Sequence, residues 1–139
     1  MTLEQRVDGQ RVGFVIQDIA GPQAVIAHVD YSTPVRVGRF GVDVPAFESV
    51  GFSALRHALA QCDVIVIDEI ARMGLASPGF VAMVGQVMES PGPVVATIHV
   101  HSHPFTDALK QRRDVTRIQI TTENREVMPG RLFSSLIRQ

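Results

Sequence analysis

Lysine is nearly absent from this 139-residue sequence, because 12 of its 13 basic residues are arginine and Lys110 is the only lysine. No glycine lies near Lys110, which is flanked by Leu109 and Gln111. A phosphate-binding loop of the G-x-x-x-x-G-K-[ST] type needs a lysine directly after a glycine, since that lysine reaches the phosphates that the loop amides hold. Such a loop is therefore excluded from these 139 residues.

Cysteine is equally rare, with Cys62 alone in the chain. A single cysteine excludes an intramolecular disulfide and fits a reducing compartment, so we expect a cytoplasmic protein. Cys62 precedes an apolar run and lacks a histidine and aspartate context, so we interpret it as a packed, inert thiol. The residues after Met1 have no apolar core of a signal peptide. The longest run without charged residues or histidine, 73–88, contains Pro78 and is too short to span a membrane.

An excess of charge of either sign is also missing, since 13 basic and 14 acidic residues give a net charge of −1. This balance gives no reason to expect nucleic acid or an anionic membrane as a partner. Hydrophobic residues make up 45% of the sequence and charged residues 19%, which is typical of a globular protein. We expect a single domain over residues 1–139 with a substantial core.

Hydrophobic periodicity indicates strands in the first third of the chain and alternating strands and helices in the remainder. Gly21-Pro22 separates two of these strands and predicts a hairpin near the N-terminus. The uninterrupted apolar run that ends at Asp68 predicts a strand buried on both faces. The predicted extended segments are 11–19, 24–29, 35–44, 63–68, 94–100 and 115–121. The predicted helices begin near Pro45, Pro78, Pro104 and Thr122. Ser77 and Thr122 are the predicted N-caps, and Pro129-Gly130 is predicted to break the last helix.

Strand and helix alternate through the second half of the chain, which predicts right-handed crossovers and a mostly parallel sheet in an α/β fold. Ligands of such sheets bind beyond the carboxyl ends of the strands. Polar residues follow three of the predicted strands, at Asp68-Glu69, 97–103 and 121–125. We expect these three clusters to meet at one edge of the sheet.

Asp68 and Glu69 directly follow four β-branched apolar residues. An aspartate at a strand tip can hold a magnesium-bound water, because Mg²⁺ keeps several waters and takes few protein carboxylates. A following glutamate can orient or deprotonate the water that attacks a phosphate. The alternative is a buried strand that merely ends in charged loop residues.

Three histidines, His99, His101 and His103, alternate after the next predicted strand. Residues two apart share a face of an extended segment, so their imidazoles could gather around zinc or another transition metal. A polar loop after a strand is the other interpretation.

Single polar residues near these clusters are further candidates. Thr97 could contact the water or a phosphate, although a β-branched threonine also suits a strand interior. Arg72 and Arg125 could each neutralise phosphate charge, although single arginines are usually solvated. No G-x-S-x-G motif supports a serine hydrolase.

Five short motifs occur in an order that is more specific than any one of them. They are Arg11 to Phe14, Val37 to Val44 with Phe47-Glu48, Val66 to Ile70 with Met73, Val95 to Ile98, and Thr121 with Glu123 to Glu126. Together they resemble the small P-loop nucleoside-triphosphatases of the thermophilic and cancer-related type, over essentially the whole chain.

The resemblance implies a RecA-like α/β sandwich with a β-hairpin and Mg²⁺-dependent hydrolysis of nucleoside triphosphates, ATP and GTP included. It implies that Asp68 is the Walker B carboxylate, which binds Mg²⁺ through water, and that Glu69 activates the attacking water. The other site residues expected are Arg72 for catalysis and Thr97, Asn124 and Arg125 for contacts with the nucleotide.

The sequence departs from the family pattern in two places. The family usually continues its Walker B strand as Asp-Glu-Ile-Gly-Lys-Met-Glu, whereas this chain has Arg72 and Gly74 in place of the lysine and the last glutamate. The family's first strand, phosphate loop and first helix also have no counterpart before Thr2. We therefore expect an N-terminally truncated domain that is inactive alone, or a degenerate, non-hydrolysing binding module. Either one would have exposed sheet edges through which it could self-associate.

Overall fold

The structure is a computed structural model that describes residues 1–19 and 21–136. The chain forms two compact units, residues 1–101 and residues 102–139. The first unit contains β1 (Thr2–Val7), β2 (Gln10–Gln17), β3 (Gln23–His28), β4 (Arg36–Val37), β5 (Phe40–Val42), α1 (Val44–Gln61), β6 (Ile65–Ile70), α2 (Arg72–Leu75), α3 (Pro78–Met88) and β7 (Val94–Ile98), and the second contains α4 (Pro104–Gln111) and α5 (Met128–Leu136).

Five strands form an antiparallel sheet in the order β1-β2-β3-β5-β4. The predicted hairpin is confirmed as the antiparallel pair β2–β3. Asp8 and Gly9, with φ of 48° and 76°, join β1 to β2, and positive φ at both central residues matches the right-handed twist of a tight hairpin. The predicted mostly parallel sheet is corrected here, because short turns connect consecutive strands and only β6 and β7 pair in parallel within the described residues.

Helix α1 covers one face of the antiparallel sheet and begins where Pro45 predicted. The Asp43 side chain accepts a 2.9 Å hydrogen bond from the Ala46 amide, which caps the helix. Phe47 and Val50 are buried on the inner side of α1, and the helix packs against β2 and β3. The apolar spacing of the sequence is therefore the face that forms the core.

Strands β6 and β7 form a separate two-stranded parallel sheet. Ile65, Ile67 and Ile70 are buried, whereas the side of β6 that carries Val66 is open, with Val66 56% exposed. The prediction that β6 is buried on both faces is thus wrong for this chain, because burial depends on what packs over each face. Helix α3 begins at Pro78 as predicted.

The second unit confirms one predicted helix and corrects two other elements. Helix α4 starts at Pro104, and the His103 side chain caps it by accepting a 3.3 Å hydrogen bond from the Phe105 amide. Residues 115–121 do not form a strand, since they pair with no other strand in the described residues. Residues 122–127 form turns, so Thr122 is not an N-cap. Helix α5 begins at Met128, and Pro129 occupies its first turn, where the fixed φ of proline is tolerated, instead of breaking it.

Across residues 1–19 and 21–136, no helix combines the length and apolar character needed to cross a membrane.

Candidate functional site

Asp68 and Thr97 meet on neighbouring parallel strands. The register pairs Ile67 of β6 with Ala96 of β7, so the next residue on each strand reaches the same level. The Thr97 hydroxyl donates a 2.6 Å hydrogen bond to Asp68 Oδ1. The prediction that these two polar clusters lie together is therefore confirmed within the first unit.

Glu69 adds a second carboxylate directly beside Asp68. The residue is exposed, yet its carboxyl is partly desolvated, and this burial raises the pKa of Glu69 above its ordinary value. The negative charge of Asp68 raises the pKa further. The peptide bond between the two residues is cis. Adjacent acids with a raised pKa on one of them are typical of sites that hold or move a proton.

Arg72 begins the short helix α2, three residues after Glu69. Its side chain is exposed, and its guanidinium forms no hydrogen bond or ion pair with the part of the chain that the structure describes. The next residue, Met73, packs against a buried cluster formed by Phe40 and Val42 with Ala27. The segment after the two carboxylates is therefore anchored by Met73, while Arg72 is available to an external anion.

Gly74 lies where the packing leaves no room for a larger side chain. A Cβ atom at Gly74 would lie 2.6 Å from Phe80 Cε1 and 3.2 Å from Phe47 Cζ. The two phenyl rings pack edge to face with centroids 5.0 Å apart, which holds Phe80 in place. A glutamate here would displace this aromatic pair.

Glu48 and Ser77 form a contact that the sequence did not reveal. Ser77 is fully buried. Its hydroxyl accepts a 2.9 Å hydrogen bond from the Phe80 amide and donates a 2.5 Å hydrogen bond to Glu48 Oε1. The contact ties α1 to the start of α3, just after the segment that carries Asp68 and Arg72. The Ser-Pro pair indicated the cap, but no local pattern indicates a partner 29 residues away.

The three histidines do not form the metal site that their spacing allowed. His99 and His101 lie with ring centroids 5.9 Å apart, while the Nδ1 atom of His103 caps α4. Within residues 1–19 and 21–136, no group of three or more His, Cys, Asp or Glu side chains is arranged to hold a metal ion. Cys62 is exposed rather than packed, since it follows the last turn of α1.

Asn124 and Arg125 belong to the second unit. The Asn124 side chain donates a 2.8 Å hydrogen bond to the Gln119 carbonyl and accepts one of 2.8 Å from the Thr121 amide. Arg125 is exposed, and its Nε donates a 3.1 Å hydrogen bond to Glu126. The structure therefore brings together Asp68, Glu69 and Thr97 in the first unit and places these two candidates on turns of the second.

Comparison with known proteins identifies the family. The model of a family described as NTPase matches residues 1–133. The chain is 36% identical over 135 residues to a nucleoside-triphosphatase THEP1 of Thermotoga sp. (strain RQ2), with 97% of this chain and 78% of that protein covered. It is 38% identical over 140 residues to the THEP1 protein of Methanosarcina acetivorans, with 99% of this chain and 78% of that protein covered.

A solved structure supports the same assignment. The crystal structure of THEP1 from the hyperthermophile Aquifex aeolicus matches with a TM-score of 0.85 and 32% identity, over 97% of this chain and 81% of that chain. The α/β architecture with its mixed sheets is thus shared with a member of the family. The chain belongs to the nucleoside-triphosphatase family.

Proposed function

We propose that Asp68, Glu69 and Thr97 form the metal- and water-handling side of a site that hydrolyses nucleoside triphosphates, ATP and GTP among them, to diphosphates and phosphate. The family membership supports the reaction class. The single observation that carries the assignment of residues is the 2.6 Å hydrogen bond between Thr97 and Asp68 on adjacent parallel strands, since ligands bind near strand ends in such sheets.

The donor set at Asp68 fits Mg²⁺. Magnesium prefers hard oxygen ligands, keeps several waters and is usually held by one or two carboxylates together with substrate phosphates. Thr97 engages Oδ1 of Asp68, which orients the carboxylate and leaves Oδ2 for a metal-bound water. When bound, the ion would supply positive charge to the phosphates.

Glu69 is proposed as the general base. It is next to Asp68 and exposed, so a water molecule can reach it. Its raised pKa makes the ionised carboxylate a better proton acceptor than an ordinary glutamate, as general-base catalysis near neutral pH requires. Partial burial keeps that pKa high, and the charge of Asp68 adds to the effect.

Arginine side chains are proposed to contact the nucleotide. Arg72 has an exposed guanidinium close in sequence to both carboxylates, and a guanidinium can bind phosphate oxygens in pairs. Asn124 and Arg125 are proposed to contact the nucleotide as well. Asn124 is the weaker of the two, because its amide already bonds the backbone at Gln119 and Thr121.

Hydrolysis is proposed to need a phosphate-binding loop from outside residues 1–139, because these residues contain no glycine-lysine pair. The relatives are longer, since the matched region covers 78% of the Thermotoga protein.

We further propose that residues 1–139 act as one nucleotide-hydrolysing domain, located in the cytoplasm, that binds no nucleic acid. Self-association through exposed edges is part of the same proposal.

The experiment adds a phosphate-binding loop from a relative to the chain. The part of the Aquifex THEP1 protein that lies outside the matched region is fused to the chain, and phosphate release from Mg-ATP and Mg-GTP is measured with and without it. We expect turnover only with the segment, and a loss of it in Glu69→Gln but not in Glu89→Gln, which alters an exposed glutamate at the end of α3. A fused protein without turnover would favour a non-hydrolysing binding module. For the unfused chain, calorimetry that shows Mg-ATP binding tighter than about 1 mM would contradict the need for the loop.

A further inference from the structure

Ser77 forms hydrogen bonds with three helices at once. Its hydroxyl donates a 2.5 Å hydrogen bond to Glu48 Oε1 on α1 and accepts one of 2.9 Å from the Phe80 amide on α3. Its backbone amide donates a 3.0 Å hydrogen bond to the carbonyl of Gly74, which belongs to α2. The side chain is fully buried. One residue therefore joins α1, α2 and α3.

Helix α2 depends on contacts of this kind because it is too short to be stable alone. It has four residues, and isolated helices shorter than about 12 residues are marginal in water. Its backbone hydrogen bonds run from the amides of residues 75–77 to the carbonyls of residues 71–74. The amide of Ser77 donates the last of these bonds, so a movement of Ser77 would open the end of the helix.

The carboxylate of Glu48 is held firmly where it meets Ser77. A Cβ atom at Gly79 would lie 3.3 Å from Glu48 Oε1, so the carboxylate packs closely against the first turn of α3. The neighbouring residue Phe47 has its Cζ atom 3.2 Å from a Cβ atom placed at Gly74. Two consecutive residues of α1 thus contact α2 and the start of α3. Because α1 has 18 residues and a buried inner face, it is the rigid element of this arrangement.

We propose that Glu48 is a positioning residue for Arg72 and acts through Ser77. Ser77 fixes the C-terminal end of α2, and Arg72 is the first residue of that helix. The helix therefore sets where the guanidinium lies relative to Glu69, which precedes it by three residues. This role rests on the proposed function, in which Arg72 contacts the phosphates of the nucleotide.

The other end of the same segment is fixed as well. Ile70 ends β6, is buried, and pairs with Ile98 of β7. Only residues 71–76 lie between Ile70 and Ser77, so a segment held at both ends gives Arg72 a defined position. Removal of the carboxylate on α1 would leave the buried Ser77 hydroxyl without its acceptor, a cost that a shift of Ser77 would relieve. A displacement of about 1 Å can lower a rate by about 100-fold.

Hydrogen exchange of the 139-residue chain tests the hold on α2 without any need for turnover. In Glu48→Ala the amides of residues 75–77 should exchange about tenfold faster or more, after correction for any change in global unfolding measured with urea. Glu48→Gln keeps the Oε1 acceptor and should exchange like the parent chain. Asp43→Ala is the matched control, because it removes the carboxylate that caps the same helix α1. After the same correction it should leave these amides unchanged.

Phosphate release by the fused protein tests the hold on Arg72. Glu48→Ala should lower kcat/KM for Mg-ATP about tenfold or more, and Glu48→Gln should retain most of it. In an Arg72→Ala background, Glu48→Ala should cost less than about twofold, because no guanidinium is left to position. Asp43→Ala should keep kcat/KM within about twofold of the parent value, although it lowers the stability of α1.

Unchanged exchange of residues 75–77 in Glu48→Ala would overturn the proposal, whatever the fused protein does. So would an equal loss of kcat/KM from Glu48→Ala with and without Arg72, or a loss as large in Asp43→Ala, since either would indicate an effect on stability alone. A Glu48→Gln variant as impaired as Glu48→Ala would also contradict it. A fused parent protein without turnover would count against the proposed function instead, and hydrogen exchange then decides alone whether Glu48 holds α2.

Discussion

The Ser77 hydroxyl donates a 2.5 Å hydrogen bond to Glu48 Oε1 while it accepts one from the Phe80 amide. One fully buried side chain therefore caps α3 and holds that helix to α1. The segment between the two carboxylates and Ser77 contains α2. The contact therefore fixes the end of the segment that follows the candidate site.

Ser77→Ala should destabilise the first unit. The variant loses an N-cap and a buried hydrogen bond to a carboxylate, and we expect a cost of about 1–3 kcal/mol in the free energy of unfolding, measured by urea denaturation. Ser53→Ala, at an exposed position of α1, should change it by less than about 0.5 kcal/mol. Equal effects of the two substitutions would show that Ser77 has no special role. A double-mutant cycle with Glu48→Ala should give a coupling of about 0.5–3 kcal/mol between the two residues.

Gly74→Ala tests the aromatic packing behind the site. The added Cβ would lie 2.6 Å from Phe80, and overpacking of this kind costs about 1–3 kcal/mol. Gly85 in α3 is the matched control, because a Cβ there meets no atom within 4 Å. Gly85→Ala should stabilise the chain by about 0.5–1 kcal/mol through its higher helix propensity. The Tm measured by thermal denaturation should therefore fall for Gly74→Ala and rise for Gly85→Ala. A Tm shift in the same direction for both variants would contradict the packing argument.

Local chemistry explains what could be predicted from the sequence. Helix starts at Pro45, Pro78 and Pro104 were predictable because capping and proline geometry depend on a few adjacent residues. The strand that ends in Asp68 and Glu69 was predictable from its apolar run, and Thr97 beside it from the order of the strands. These features need no knowledge of distant contacts.

Distant contacts explain the features that could not be predicted from the sequence. The apolar run of β6 gave no indication that the side of Val66 is open, because exposure depends on which elements pack on each face. Residues 115–121 have a strand pattern, yet strand formation requires a partner that the pattern itself does not specify. Glu48 and Ser77 are far apart in sequence, and the first sheet is antiparallel because of turn geometry at residues such as Asp8 and Gly9.

Thr97→Val should lower turnover of the loop-supplied enzyme without unfolding it. Valine keeps the shape of threonine but removes the hydroxyl that orients Asp68. Loss of a partner that orients a metal ligand typically costs about 10- to 100-fold in metal affinity or activity. We expect either a rise of this size in the concentration of Mg²⁺ needed for half-maximal phosphate release or a fall of this size in kcat. Thr97→Ser should retain most of the activity. If Thr97→Val and Thr97→Ser behave alike, the hydrogen bond has no role in catalysis.

Glu69→Gln should raise stability and abolish turnover at the same time. Burial and the charge of Asp68 raise the pKa of Glu69 in the folded chain, so the ionised form is less favourable in the folded than in the unfolded state. This penalty is present at pH values above the raised pKa and disappears as pH falls toward the unfolded value of about 4.3. The Tm of Glu69→Gln should thus exceed that of the parent chain at pH 7 to 8, and the difference should shrink in acid.

Glu69→Gln also separates an effect on stability from an effect on catalysis. Removal of a general base typically lowers kcat by about 10²- to 10⁴-fold, so the more stable variant should be the less active one in the loop-supplied enzyme. Glu123→Gln, at an exposed turn residue of the second unit, should change neither the pH dependence of Tm nor the rate of phosphate release. A difference in Tm that stays constant between pH 8 and pH 4.5, or a Glu69→Gln enzyme that keeps full activity, would remove Glu69 from the role of base.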